Sequence, residues 1–287
     1  LKTPQKSINN NFVDVEIQDV YSELSEIIQD RKTKVNFLLG SNLANEDYVA
    51  FREFSKSISD TEQSFYINDD LLYQGHFGQD NELAKIDDLN SSDAIVVWAE
   101  DLKEKMPVLY LRVRQAVKKG VKLIVFGHTN KTLSDIADVF YGKETVSKNF
   151  EIIKDVSKLN EIKNYVIGKN VTAIIGKSTP QQSDDSVTEL FEFLRSNSNT
   201  KILNAYTKGN IYGAFQTLEN IKGTRDFVEN ISGENTNLLF IVGADPVGRS
   251  FYSNQIKSII ENLDTVVSLD IFNLSLIHIS EPTRPSQ

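Results

Sequence analysis

Residues 91–130 read SSDAIVVWAEDLKEKMPVLYLRVRQAVKKGVKLIVFGHTN and contain one complete strand–helix–strand unit. Residues 94–98 (AIVVW) and 121–126 (VKLIVF) are short apolar runs, as strands buried on both faces are. Pro107 suits the first turn of a helix between them, because the N–H that proline lacks would be unpaired there. Gly120 follows the last helical turn and is free to take a positive φ. The stretch therefore predicts a right-handed βαβ unit of a parallel sheet.

The helix of this unit, over residues 108–117, is amphipathic. Its predicted inward side consists of the apolar residues that fall mainly on one face, which are Val108, Leu111, Ala116 and Val117. Arg112, Arg114 and Gln115 fall on the other faces.

Composition limits the classes of function. The 287 residues suffice for one large or two moderate domains, and 40% hydrophobic with 25% charged residues is typical of a soluble globular protein. The net charge of −9 argues against nucleic-acid binding and against docking on anionic lipid. No apolar run is long enough to cross a membrane, so we expect no direct membrane insertion. The sequence has no cysteine, which excludes thiolate-held iron–sulfur clusters and zinc within it.

Further apolar runs predict an α/β fold with Rossmann-like parallel sheets and helices on both faces. The predicted strands are residues 35–39, 171–175, 201–205, 238–242 and 265–270, and the predicted helices are residues 45–58, 131–140, 156–167, 184–195 and 249–263. Residues 60–90 and 206–223 are predicted to be irregular. We divide the chain into a first Rossmann-like unit at 31–145 and a second at 146–273, with residues 1–30 as the end of a preceding domain.

Two glycine turns are the candidate cofactor-binding positions. Gly40, Ser41 and Asn42 follow the strand at 35–39, and Gly243, Ala244 and Asp245 follow the strand at 238–242. The carboxyl ends of parallel strands are where α/β folds place ligands. Asp245 could cap the helix predicted after it, whose N–H groups could receive a phosphate.

Three other sequence features are weaker indications of a functional site. Gly176-Lys177-Ser178-Thr179 resembles the end of a Walker A loop, but the position five residues before Gly176 is Val171 instead of glycine. His76 between glycines and His128 after a strand are lone histidines, and a lone histidine is more often structural than catalytic. We predict no catalytic residue and no metal ligand.

The helix PVLYLRVRQAV (107–117) and the strand KGVKLIV (119–125), with an acidic residue before the preceding strand, carry a family resemblance. They resemble the molybdopterin oxidoreductase superfamily, and within it the large iron–sulfur subunits of respiratory complex I, the NADH–quinone oxidoreductase. The strand followed by Gly243-Ala244-Asp245-Pro246 is similar as well. The resemblance spans roughly Val15 to Asn273.

This resemblance implies a mainly structural α/β domain in the peripheral arm, which supports electron transfer from NADH to quinone. It implies no cofactor in this segment, iron–sulfur clusters in a missing N-terminal part, and other peripheral-arm subunits as partners. It also implies a peripheral location on the cytoplasmic side of the inner membrane. The alternative is a catalytic molybdenum or tungsten bis-pterin oxidoreductase such as a formate dehydrogenase, in which the two glycine turns hold molybdopterin. A generic nucleotide-binding α/β protein is a third possibility, which the lack of G-x-G-x-x-G counts against.

Both ends of the chain predict truncation. It begins with Leu1, so we expect it to start inside a longer protein. Residues 274–284, LSLIHISEPTR, resemble a translated sequencing adapter, so we expect residues 274–287 to be a non-native tail and assign His278 no role. The alternative is a strand at 274–279 followed by a proline-rich end.

Overall fold

The computed structural model describes residues 3–8, 11–29, 34–58, 64–68, 83–99, 101–126, 131–141, 156–176, 184–206, 208–231, 236–248 and 252–270. The chain forms two compact units. The split unit comprises Leu1–Leu71 and Lys208–Gln287, and the continuous unit comprises Leu72–Thr207.

The split unit contains two strands and a helix at its start, then a parallel sheet with its helices. Its elements are β1 (Gln5–Ile8), β2 (Asn11–Asp14), α1 (Ile17–Gln29), β3 (Val35–Leu39), α2 (Asn45–Ile58), β4 (Phe65–Ile67), α8 (Ile211–Thr217), α9 (Thr224–Asn230), β10 (Leu238–Val242), α10 (Ser253–Glu261) and β11 (Thr265–Leu269). The elements of the continuous unit are a 3-10 helix (Ile86–Asn90), β5 (Ala94–Trp98), α3 (Leu102–Lys105), α4 (Pro107–Lys118), β6 (Lys122–Phe126), α5 (Lys131–Ser134), β7 (Val139–Tyr141), α6 (Val156–Val166), β8 (Asn170–Gly176), α7 (Asp184–Asn197) and β9 (Asn199–Ala205).

The split unit is built on a four-stranded parallel sheet of order β11-β10-β3-β4. On one face, the ring of Phe37 stacks between Phe65 and Phe240, with centroids 5.2 and 5.3 Å away, and Phe54 of α2 packs edge-on against it. On the other face, Leu38 and its neighbours pack with residues of α9 and α10. Because helices cover both faces, the central strand β10 is apolar throughout, and β3 is interrupted only by Asn36.

The continuous unit is built on a five-stranded parallel sheet of order β7-β6-β5-β8-β9. One face packs against α4. On β5, β6 and β7, Trp98, Phe126 and Tyr141 form a row of stacked rings with centroid separations of 5.4 and 5.0 Å. The parallel sheets flanked by helices confirm the predicted α/β fold class.

The strands are grouped differently from the consecutive division at residues 31–145 and 146–273. β10 pairs with β3 along its whole length, with Leu238 opposite Val35 and Val242 opposite Leu39. Strands from the two ends of the chain therefore share one sheet, and the continuous unit interrupts the split unit in sequence. An apolar run identifies a buried strand, but the choice of its neighbour depends on packing between distant parts of the chain.

The prediction of the buried side of α4 is wrong for two residues. The helix buries Leu109, Tyr110, Val113 and Ala116, whereas Val108 and Leu111 are 64% and 59% exposed. Leu109, Val113 and Ala116 follow helical spacing, and the ring of Tyr110 beside them gives that face the larger apolar area. Ala116 and Val117 do contact the core as predicted.

The helix predicted over residues 131–140 is also wrong, because α5 ends at Ser134 and β7 begins at Val139. The backbone of Asp138 donates to the Leu123 carbonyl (2.8 Å), and its carboxylate accepts from the Leu123 N–H (2.9 Å). These bonds hold the chain extended beside β6, where β-branched and aromatic residues are suited to a strand. The two regions predicted to be irregular contain β4 and α8, respectively.

Candidate functional site

The six predicted positions come together at one edge of the four-stranded sheet. β3 and β10 are neighbours, and the strand order reverses between them, because β4 lies beyond β3 and β11 lies beyond β10. Such a switch point, at the carboxyl ends of the strands, is where open α/β sheets bind ligands. Gly40–Asn42 follow β3 here, and Gly243–Asp245 follow β10. Both turns therefore lie where this class of sheet places its ligands.

The two turns meet backbone to backbone at Gly40 and Gly243. The N–H of Gly40 donates to the carbonyl of Val242 (2.7 Å), and a Cβ atom on Gly40 would overlap the Gly243 carbonyl oxygen. Gly243 has φ +55°, which favours glycine, and its N–H donates to the Leu269 carbonyl (2.9 Å) at the end of β11. Glycine is thus required at position 40 by close contact and at position 243 by conformation.

Tyr48 of α2 holds the first turn in place. Its side chain is buried, and its hydroxyl donates to the Gly40 carbonyl (2.8 Å). Burial raises the pKa of Tyr48 from 10.0 to about 12. The phenol therefore stays protonated and keeps donating at alkaline pH, where an ordinary tyrosine would lose its proton.

The loop before α8 closes over the same turn. The Asn42 side-chain oxygen accepts from the Gly209 N–H (2.8 Å), and the carbonyl of Ser41, a buried residue, accepts from the Asn210 N–H (2.9 Å). The Asn210 amide donates to the Leu43 carbonyl (2.8 Å) and to the Asn45 side chain (2.9 Å). Asn210 lies in the region predicted to be irregular and is not among the six predicted positions. A signal was present, because Gly209-Asn210 comes just before apolar residues at helical spacing.

Two backbone N–H groups beside the turns already have carboxylate acceptors. The Asp47 carboxylate accepts from the Ala44 N–H (3.0 Å) at the start of α2, and Glu46 precedes it in the same turn of helix. In the second turn, the Asp245 carboxylate accepts from the Gly248 N–H (3.0 Å). The next helix, α10, begins only at Ser253 after the N-cap Tyr252, so the prediction that Asp245 caps it is wrong.

The comparison with known protein families identifies the family of this chain. The sequence model of the family described as molybdopterin oxidoreductase matches residues 1–280, nearly the whole chain. The chain belongs to the molybdopterin oxidoreductase family. The match runs through both units and ends within residues 274–287, which lie outside the described structure.

The family implies a molybdopterin cofactor, so we asked whether these turns fit one. The dinucleotide form of this cofactor carries phosphate groups, which bind best at free N–H groups and cations. Here Gly40 and Gly243 are in direct backbone contact, and the Asp47 and Asp245 carboxylates accept from N–H groups beside the turns. The residues present therefore do not fit an anionic pterin dinucleotide at this switch point.

Among the described residues, the structure gives little support to the other candidate sites. No three His, Asp or Glu side chains of the described residues are grouped to hold a metal ion, and the sequence contains no cysteine. His76, His128, His278 and residues 177–179 of the Walker-like sequence lie outside the described residues. Gly176 ends β8, where a Cβ atom would overlap the Ala205 carbonyl oxygen, so close packing explains this glycine. Of the helices that the structure describes, none has the length and apolarity to cross a bilayer.

Proposed function

We propose that this chain is part of the large iron–sulfur subunit of NADH–quinone oxidoreductase, respiratory complex I. Its α/β units act as a structural domain of the peripheral arm and contact other subunits of that arm. The assembly lies on the cytoplasmic side of the inner membrane and passes electrons from NADH to quinone. The clusters that carry the electrons are held elsewhere in the large subunit.

The observation that carries this proposal is the junction of Gly40 with Gly243. A molybdopterin oxidoreductase fold that had kept its cofactor would need an open crevice at this switch point. In this chain the backbones of the two turns are in contact at Gly40 and Gly243, the Asn210 amide binds the Leu43 carbonyl, and the Tyr48 hydroxyl binds the Gly40 carbonyl. A site whose donors and acceptors bind one another stabilises a fold and leaves few groups for a ligand.

The alternative is a catalytic molybdenum or tungsten bis-pterin oxidoreductase such as a formate dehydrogenase. Membership of the family supports this alternative and the proposal above equally. It requires a metal ligand from residues outside the two turns, and it makes Gly40–Asn42 and Gly243–Asp245 contacts of the bound cofactor.

The test is co-purification of activity with the full-length native protein. We would tag the protein in its own cells, purify it in mild detergent and measure NADH-dependent quinone reduction beside formate-dependent dye reduction. A mock purification from untagged cells is the control. We expect NADH-dependent quinone reduction in the tagged sample alone. Formate-dependent reduction without the NADH activity would overturn the proposal.

A further inference from the structure

The outward side of α4 carries two apolar residues whose side chains do not pack in the core. Val108 and Leu111 are 64% and 59% exposed, and they are three residues apart, so they are neighbours on the helix surface. Leu109 and Val113 on the inward side are buried in the core, which fixes the rotation of the helix. These two side chains are therefore held in solvent by the packing of the helix itself.

Exposed cations lie on the same helix side as this apolar pair and close to it in sequence. By helical spacing, Arg112, Gln115 and Lys118 lie on the same side as Val108 and Leu111, and we call these five residues the α4 outer face. Three further exposed cations lie close in sequence, which are Lys103, Lys105 and Lys119, and Glu104 is the acidic residue among them. The chain as a whole has a net charge of −9, so a cationic surface of this kind is opposite in sign to the rest of the molecule.

These cations are not neutralised by carboxylates of the described residues. Arg112 contacts the neutral side chain of Gln115 (3.4 Å), and Lys119 contacts that of Asn90 (3.1 Å). Within the described part of the chain, no ion pair involves Lys103, Lys105 or Lys118. A carboxylate of another molecule can therefore form an ion pair with these side chains.

The composition of the α4 outer face indicates the kind of molecule that would bind it. An apolar centre with an arginine and a charged rim is the arrangement of a protein interface. A second copy of this chain, an anionic bilayer or a nucleic acid would each be repelled by the net charge of −9. We infer that the α4 outer face docks another protein through an apolar patch rimmed by carboxylates. This inference rests on the proposed function for the presence of such a neighbouring subunit.

The first experiment identifies the occupant by photo-crosslinking. A photoreactive amino acid replaces Gln115 in the full-length protein, which is irradiated in its native assembly and analysed by mass spectrometry. We expect a cross-link to an Asp- or Glu-rich segment of a different protein. A cross-link to a second copy of this chain, to lipid or to a neutral segment would overturn the inference.

The second experiment compares two matched double variants in the same unit. Leu111→Ser with Arg112→Glu changes the proposed surface, and Ile167→Ser with Lys169→Glu makes the same change at another exposed pair, where Ile167 is 55% exposed. We expect the cross-link yield to fall about tenfold in the first variant and to stay unchanged in the second. Equal yields in both would overturn the inference.

Two controls keep the outcomes separate. Unchanged thermal unfolding shows that the first variant folds, and Lys118→Glu alone replaces it if it does not. If the purified protein lacks NADH-dependent quinone reduction, the proposed function fails, while the identity of the cross-linked segment still decides the inference.

Discussion

At the scale of single residues, the two turns can meet because Gly40 has no Cβ atom. Gly40 takes no positive φ, so its backbone conformation is open to any residue. The Gly243 carbonyl, however, occupies the space that a side chain would need. The constraint on Gly40 is therefore purely one of contact, and it can be tested by adding one carbon.

Gly40→Ala should destabilise the protein by about 1–3 kcal/mol, because the added carbon forces the two turns apart. The measurement is the midpoint of urea unfolding followed by far-ultraviolet circular dichroism. Gly209→Ala is the control, since its Cβ would lie 3.3 Å from the end of the Asn42 side chain, which can adjust. Equal loss in the two variants would contradict the contact described here.

Tyr48→Phe removes the donor to the Gly40 carbonyl and should cost about 1–3 kcal/mol at neutral pH, because a buried acceptor is left unpaired. The pKa of Tyr48 is raised from 10.0 to about 12, so the folded state holds the phenolic proton more tightly than the unfolded state. Its contribution is complete below pH 10 and is lost as the pH rises towards 12.

The corresponding measurement is unfolding stability across that alkaline range in the wild type and in Tyr48→Phe. The wild type should lose stability more steeply, so that the difference between the two proteins shrinks. A constant difference would mean that Tyr48 titrates at its ordinary pKa in the folded protein.

At the scale of elements, the strand β7 shows how a short edge strand is held. Asp138 binds the Leu123 N–H (2.9 Å) and also the ammonium group of Lys122 (2.8 Å). The hydrogen bond to Asp138 raises the pKa of Lys122. The ion pair is largely exposed, whereas Leu123 is fully buried, so the bond to the backbone should matter more.

Asp138→Ala should therefore lower the free energy of unfolding by about 1–3 kcal/mol, because the Leu123 N–H loses its acceptor. Lys122→Ala removes only the exposed partner and should change the stability little. Thermal unfolding of both variants by calorimetry measures the contrast. A larger loss in Lys122→Ala would show that the ion pair, and not the backbone bond, holds β7.

The elements that the sequence predicted are those with a long apolar signal. β5 and β10 are buried on both faces and appear as unbroken apolar runs, and the apolar run of β8 is interrupted only by Thr172. β4 and β7 are only three residues long, and α8 begins in a glycine-rich stretch, so local pattern was too weak to find them. The inward face of α4 was predicted incorrectly because choosing residues one position away turns the predicted face by about 100° around the helix.

At the scale of the whole molecule, the sequence predicted where the two glycine turns lie but not how they are closed. Strand ends and glycines placed Gly40 and Gly243 at the ligand edge of a parallel sheet. The pairing of β3 with β10 and the closure by Asn210 depend on contacts between residues far apart in sequence. Such contacts produce no periodic sequence pattern, so the discontinuous unit and the contacts around the two turns could be seen only in the structure.

The most direct test of the proposed structural role is the content of iron, molybdenum and tungsten per chain in the full-length native protein, measured by elemental mass spectrometry. A structural domain of complex I predicts iron without stoichiometric molybdenum or tungsten. One molybdenum or tungsten atom per chain would contradict it, and Gly40–Asn42 and Gly243–Asp245 would then be cofactor contacts of an active oxidoreductase.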